Sequence, residues 1–190
     1  MFAKARQRRS AGVRGVIATS IVMTACAHGG LKVDDGPCAA LGGLRSEICD
    51  MGEEPLPASP AEEAYRFLWQ RSREGPVFVR VEKHQGEATL VAAELDGRVD
   101  GKVLRRARRS LEPGEWAALQ AAVDAAGFWS LSRDDEPGGA DGAMWTLEGK
   151  RGRAYHNASL WSPERGPFRA AGEAFLAASR FSFPATKKDQ

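Results

Sequence analysis

The sequence is poor in the residues and motifs on which many enzyme families depend. Histidine and cysteine occur three times each, and tyrosine twice, among 190 residues. No cysteines or histidines have the spacing of a zinc site, and no Gly-x-Ser-x-Gly turn, phosphate-binding glycine loop or aspartate-rich calcium loop is present. The sequence therefore predicts neither a metal nor a cofactor, and it favours a binding protein over an enzyme.

A hydrophobic run long enough to span a membrane is also missing near the start of the chain. The apolar run at residues 16–25 has ten residues, whereas a membrane-spanning helix needs about 20. The residues before it include five basic side chains and no acidic one, namely Lys4, Arg6, Arg8, Arg9 and Arg14. A basic segment followed by a short apolar segment predicts a signal peptide over residues 1–25.

The end of this segment, Met23-Thr24-Ala25-Cys26, resembles the lipobox of bacterial lipoproteins, with methionine where leucine is usual. The resemblance implies that cleavage exposes Cys26 and that Cys26 then carries the lipid. We therefore expect a protein of the bacterial cell envelope, attached to the outer membrane through the lipid on Cys26 and facing the periplasm. A secreted or soluble periplasmic protein is the alternative.

The residues after Cys26 predict a tether that leads into one folded domain. Residues 26–58 are rich in glycine, alanine and proline, residues 59–182 have the patterns of a globular domain, and residues 183–190 predict a disordered tail. Cys38 and Cys49 are expected to form a disulfide in an oxidising compartment, with two free thiols as the alternative. Without the five early basic residues, 22 basic side chains remain against 25 acidic ones, so no nucleic-acid partner is expected.

The periodicity of the domain predicts an α+β fold. Apolar residues at helical spacing after a Ser-Pro start predict a helix over residues 59–73. Alternating or β-branched runs predict a three-strand meander within residues 77–110 and a hairpin within residues 143–160. Two more helices are predicted after Pro113 and Pro167. This order predicts an antiparallel sheet of about five strands, a three-strand meander plus a hairpin, with three helices packed mainly on one face.

The strongest local charge feature is the run Arg-Arg-Ala-Arg-Arg at residues 105–109. Alternation along a strand places Arg105 and Arg109 on one face and Arg106 and Arg108 on the other. A strand with arginine on both faces predicts an edge strand, where charge prevents unwanted strand pairing. The same four arginines are our main candidate for binding an anionic lipid headgroup, lipopolysaccharide or an acidic protein partner.

The segment from Asp141 to Pro167 is the other candidate site. His156 could act as a general base with Glu148 or Asp141 as its carboxylate partner, and Trp161 could form a stacking or binding surface. In the alternative interpretation, the tryptophans of this segment belong to the core and His156 has a structural role. The acidic loop at residues 134–141 is a second candidate binding surface.

Part of the domain resembles a group of uncharacterised bacterial envelope proteins. The resemblance rests on "GFWSL", "DGAMWTLEG" and "YHNASLWSPERGPFRAAG", which match a signature GFW-L, DG-W-LE-G, YH and WSP-GP-R over roughly residues 65 to 180. It implies a single folded unit and assigns no catalytic residue. We therefore predict a lipid-anchored envelope protein that acts as a binding module, with an envelope hydrolase that uses His156 as the alternative.

Overall fold

The computed structural model describes residues 52–97, 102–132, 139 and 141–183. All of them belong to one of the two units into which the chain divides, Asp35–Gln190. The predicted signal peptide, the lipid site Cys26, the Cys38–Cys49 disulfide, most of the acidic loop and the tail after residue 183 lie outside the described residues.

The described residues form one antiparallel six-stranded sheet with two α-helices. The strands are β1 (Glu63–Arg71), β2 (Val77–His84), β3 (Glu87–Leu95), β4 (Val103–Leu111), β5 (Ala143–Arg151) and β6 (Ala154–Trp161). The helices are α1 (Pro113–Ala125) and α2 (Pro167–Ser179), and the strand order is β4-β3-β2-β1-β5-β6. Short 3-10 turns occupy Leu56–Ala58 and Phe128–Ser130.

The prediction of five strands and three helices is wrong, because residues 63–71, predicted as part of a helix, form strand β1. β1 pairs with β2 on one side and with β5 on the other, so it joins the meander to the second hairpin. A central strand that is buried on both faces carries a nearly continuous apolar run, which periodicity alone does not distinguish from a helix. Its aromatic residues Tyr65, Phe67 and Trp69 suit a strand, and tertiary pairing outweighs the helix-start signal at Ser59.

The other predicted elements are present within a few residues of their expected positions. The turn between β2 and β3 has two residues with positive φ, Gln85 at 48° and Gly86 at 86°, a backbone that suits a tight hairpin. Helix α1 begins at Pro113 with a capping box between Glu112 and Glu115, and Gly127 at φ 62° follows its end.

Both helices pack on one face of the sheet, which we call the helix face. Its core consists of aromatic and aliphatic side chains from all six strands and both helices, including Tyr65, Phe67, Trp145, Trp116 and Phe175. The other side of the sheet, the opposite face, carries Arg66, Leu68, Phe78 and Glu148. The chain that enters β1 lies on this opposite face, where Leu56 and Ala61 pack against Ala64.

Candidate functional site

Strand β4 places the four candidate arginines at an edge of the sheet, as the sequence predicts. β3 is its only strand neighbour in the described sheet. Arg105 lies opposite Glu94 and Arg109 lies opposite Leu90, both on the helix face. Arg106 and Arg108 lie opposite Ala93 and Val91 on the opposite face. The register therefore divides the arginine run into two pairs with different surroundings.

Arg105 takes part in contacts within the domain. Its Nε donates to Glu94 Oε2 at 2.6 Å, and its guanidinium carbon lies 4.3 Å from the ring centre of Phe181 and 4.9 Å from that of Phe183. Cation–π contacts at these distances fix a guanidinium against a ring. Arg105 thus joins β4 to the segment after α2 and is not free to serve a ligand.

Arg109 joins β4 to both helices. Its Nη1 donates to Glu115 Oε2 at 2.7 Å, and its Nη2 donates to the carbonyl oxygen of Ala178 at 2.8 Å. The hydrogen bond from Arg109 and the backbone N–H of Glu112 lower the pKa of Glu115 to about 2. Because both terminal nitrogens of its guanidinium donate to groups within the domain, Arg109 is a structural residue.

Arg106 and Arg108 are exposed, in contrast to the other pair. They are two residues apart on one face of a strand, a separation of about 7 Å. The same strand begins with the two large apolar residues that are exposed in the described part of the chain, Val103 at 42% and Leu104 at 63%. Arginine is enriched in protein–protein interfaces relative to the rest of the surface, so this strand is a candidate binding surface. We call Val103, Leu104, Arg106 and Arg108 the β4 surface.

The second candidate site is not assembled. His156 lies opposite Gly149 on the helix face, where its ring centre is 4.9 Å from that of Phe128 and 6.3 Å from that of Trp129. Glu148 lies on the opposite face, opposite Asn157. The sheet separates the imidazole from this carboxylate, and His156 is half-buried among aromatic rings.

The other members of that candidate site have separate environments. Asp141 is exposed and its Oδ1 accepts from Arg73 Nη2 at 2.8 Å. Trp161 is half-buried, and its indole lies against the backbone of Gly142, where a Cβ would come within 3.0 Å of the ring. The structure therefore brings neither Asp141 nor Trp161 to His156.

Glu148 belongs to a buried ion pair that the sequence analysis missed. Its Oε2 accepts from Arg66 Nε at 2.5 Å, and its Oε1 accepts from the Tyr155 hydroxyl at 2.7 Å. Arg66 and Glu148 are 0% and 1% exposed. Assigning residues 59–73 to a helix concealed this pair, because only a strand register places Arg66 opposite Glu148.

Charged groups also hold the chain that enters the sheet. Arg66 Nη1 donates to the carbonyl oxygen of Glu54 at 2.9 Å, and the Glu53 carboxylate lies 2.8 Å from Arg80 Nε. Burial raises the pKa of Glu53, and the nearby Arg80 opposes this shift. Glu82 accepts from the Ser59 hydroxyl at 2.7 Å. These contacts attach residues 53–59 to the opposite face, so part of the segment assigned to the tether is in contact with the domain.

A third polar cluster lies on the helix face at the beginning of β1. Glu63 accepts hydrogen bonds from the Tyr65 hydroxyl at 2.5 Å, Arg151 Nε at 2.7 Å and Gln120 Nε2 at 3.0 Å. Arg151 also donates to Asp124 at 3.0 Å. Burial raises the pKa of Tyr65, and its hydrogen bond to Glu63 adds to the shift. The acidic and basic groups of this cluster pair with one another, and their contacts connect β1, β5 and α1.

The Glu63 cluster predicts a loss of stability in acid. Burial alone would raise the pKa of Glu63. The hydrogen bonds from Tyr65, Arg151 and Gln120 instead lower this pKa below its ordinary value. A lowered folded-state pKa means that the stabilisation is present above about pH 4.5 and is lost as the pH falls through the folded-state pKa. In urea unfolding at pH 7, 5, 4 and 3, Glu63→Gln should show a smaller decrease in the free energy of unfolding than the wild type.

The matched control for this measurement is Glu164→Gln, at an exposed position after β6. Glu164→Gln should follow the wild-type pH dependence. Identical pH dependences for Glu63→Gln and the wild type would contradict the role assigned to the Glu63 cluster.

Comparison with known proteins does not identify this chain. No protein-family model matches it, and no curated protein has a matching sequence. Within residues 52–97, 102–132, 139 and 141–183, no three His, Cys, Asp or Glu side chains form a group that could hold a metal ion. Neither helix in the described part of the chain is long and apolar enough to cross a membrane.

Proposed function

We propose that this protein is a lipid-anchored binding module of the bacterial cell envelope that binds an acidic, extended segment of another envelope protein through the β4 surface. The observation that carries the proposal is the division of the arginine run. Arg105 and Arg109 hold the domain together, whereas Arg106 and Arg108 are exposed on an edge strand. The lipid anchor itself rests on the residues before Cys26.

An edge strand favours an extended peptide as the partner. The outer N–H and C=O groups of an edge strand can pair with a further strand, a mode in which main-chain hydrogen bonds supply affinity and side chains supply specificity. Arginine at every second position then meets every second side chain of the incoming strand. Carboxylates are suitable there, because a guanidinium binds a carboxylate through two parallel hydrogen bonds.

The apolar part of the β4 surface supports a protein partner over a simple headgroup. Leu104 is 63% exposed and belongs to the same strand as the arginines. Burial of an exposed leucine contributes roughly 1.5–3 kcal/mol to an association. A lipid headgroup would use the arginines alone, whereas an extended segment with alternating acidic and apolar residues uses both parts of the surface.

The proposal can be tested by fluorescence anisotropy with the full chain in a neutral detergent. The probe is a fluorescein-labelled peptide that alternates glutamate and valine. We expect saturable binding that Arg106→Glu with Arg108→Glu weakens by at least about 10-fold, since two charge-assisted contacts are reversed in sign. Raising the salt concentration from 50 to 300 mM should also weaken binding.

The control variant is Arg153→Glu, which reverses an exposed arginine in the turn between β5 and β6. It should change binding by less than about 2-fold, because salt screens an exposed charge that lies outside the interface. An equal effect of Arg153→Glu would show that binding depends on net charge alone. Saturable binding of soluble dihexanoyl phosphatidylglycerol, without any binding of the peptide, would assign the surface to anionic lipid instead.

A further inference from the structure

A cavity of about 390 Å³ lies where the β2–β3 hairpin meets the end of β4 and the first turn of α1. It is separate from the exposed arginines of the β4 surface, none of which lines it. Pockets that hold small molecules generally have volumes of about 300–1,000 Å³. The cavity is therefore large enough for a ligand of about ten to fifteen non-hydrogen atoms.

An apolar surface forms one wall of the cavity. Ala88, Leu111, Pro113 and Trp116 provide it, and Thr89 and Ser110 border the cavity from the neighbouring positions of the two strands. Leu111 and Trp116 are buried, so the apolar wall is fixed by the core beneath it. Four tryptophans have a buried indole N–H with no acceptor among the described residues. Of these four, Trp116 lines this cavity.

Lys83 supplies a cation at the apolar wall. Its Nζ lies 5.8 Å from the ring centre of Trp116, within the range of a cation–π contact. In the described part of the chain no carboxylate forms an ion pair with Lys83. Its strand neighbour Glu63 is instead used by Tyr65, Gln120 and Arg151. The ammonium group is therefore held beside the cavity with its charge available to a ligand.

We propose that this cavity binds a small molecule with a carboxylate and an apolar, preferably aromatic, body. The body lies on Leu111 and Trp116, and the carboxylate faces Lys83. Glu87 also borders the cavity, and its exposed side chain carries the charge that repels such a ligand. The two charges set the orientation of the ligand, with its carboxylate toward Lys83 and away from Glu87.

The test is a titration of the full chain, followed by ¹H–¹⁵N correlation spectra in a neutral detergent. The probe is 3-phenylpropionate, and 3-phenylpropionamide is its uncharged counterpart. We expect saturable shifts with a millimolar Kd, as is usual for a ligand of this size. The indole N–H of Trp116, identified by its loss in Trp116→Phe, should shift, while the indole N–H of Trp145 should not. The amide should bind at least about 5-fold more weakly, because it lacks the charge-assisted contact.

Three variants separate the role of Lys83 from a general loss of structure. Lys83→Gln should weaken binding of the acid to the level of the amide, and Lys83→Arg should restore it. Glu87→Gln removes the repulsive charge and should leave binding of the acid as strong or stronger. Equal binding of the acid and the amide to the wild type, an unchanged Kd in Lys83→Gln, or no saturable shift at Trp116 would each overturn the proposal.

Discussion

Glu148→Gln is expected to destabilise the protein by about 3–5 kcal/mol, the usual cost of leaving one member of a buried ion pair without its partner. Glutamine keeps the volume and an acceptor for the Tyr155 hydroxyl, but it removes the charge that faces Arg66 at 2.5 Å. Arg66 is fully buried, so water does not replace the lost carboxylate. Thermal unfolding followed by circular dichroism should show a decrease in Tm of roughly 10 °C for a domain of this size.

The double variant Arg66→Met with Glu148→Leu is the control that isolates the charge. It replaces both buried charges by apolar side chains of similar size, and such replacements are often neutral or stabilising. We expect it to recover most of the stability lost in Glu148→Gln. If the double variant is as unstable as the single one, then the packing of residues 53–59 on the opposite face, and not the charge balance, explains the loss.

Trp145→Ala is expected to lower the free energy of unfolding by about 3–5 kcal/mol, because a large buried side chain leaves a cavity. Trp145 is 1% exposed, and its ring centre lies 5.2 Å from that of Phe67 and 5.9 Å from that of Trp69. Helix α2 approaches it closely at Gly172, where an added Cβ would come within 2.5 Å of the indole. Urea unfolding should show the loss directly as a lower midpoint.

Trp161→Ala provides the comparison within the same segment. Trp161 is half-buried on the opposite face, so we expect a loss of about 1–2 kcal/mol, well below that of Trp145→Ala. Similar losses for the two variants would mean that Trp161 is as important for the core as Trp145. A larger loss for Trp161→Ala would contradict the division of this segment between the two faces of the sheet.

The segment from Asp141 to Pro167 forms one side of the sheet. It supplies a central strand and an edge strand, and its charged and aromatic residues alternate between the two faces. The alternative of a hydrolase would require His156 to reach a carboxylate, and the sheet places Glu148 on the other face. The β4 surface and the cavity beside Trp116 are both separate from this segment.

The sequence by itself determined much of the local structure and one feature of the candidate site. Short-range rules are sufficient for the β2–β3 turn at Gln85-Gly86, for the start of α1 at Pro113 and for the alternation of the four arginines, since each depends on a few neighbouring residues. The edge position of β4 also follows from local chemistry, because arginine on both faces of a strand is difficult to bury.

Only the tertiary structure decided the role of residues 63–71 and the division of the arginines. Strand β1 forms because β2 and β5 pair with it on both sides and bury both of its faces, a long-range effect that outweighs the local helix signal. The same register creates the Arg66–Glu148 pair from residues 82 positions apart. Likewise, only the tertiary structure shows that Arg105 and Arg109 lie on the face that the helices cover, where they contact Ser182, Glu115 and Ala178. Arg106 and Arg108 lie on the opposite face.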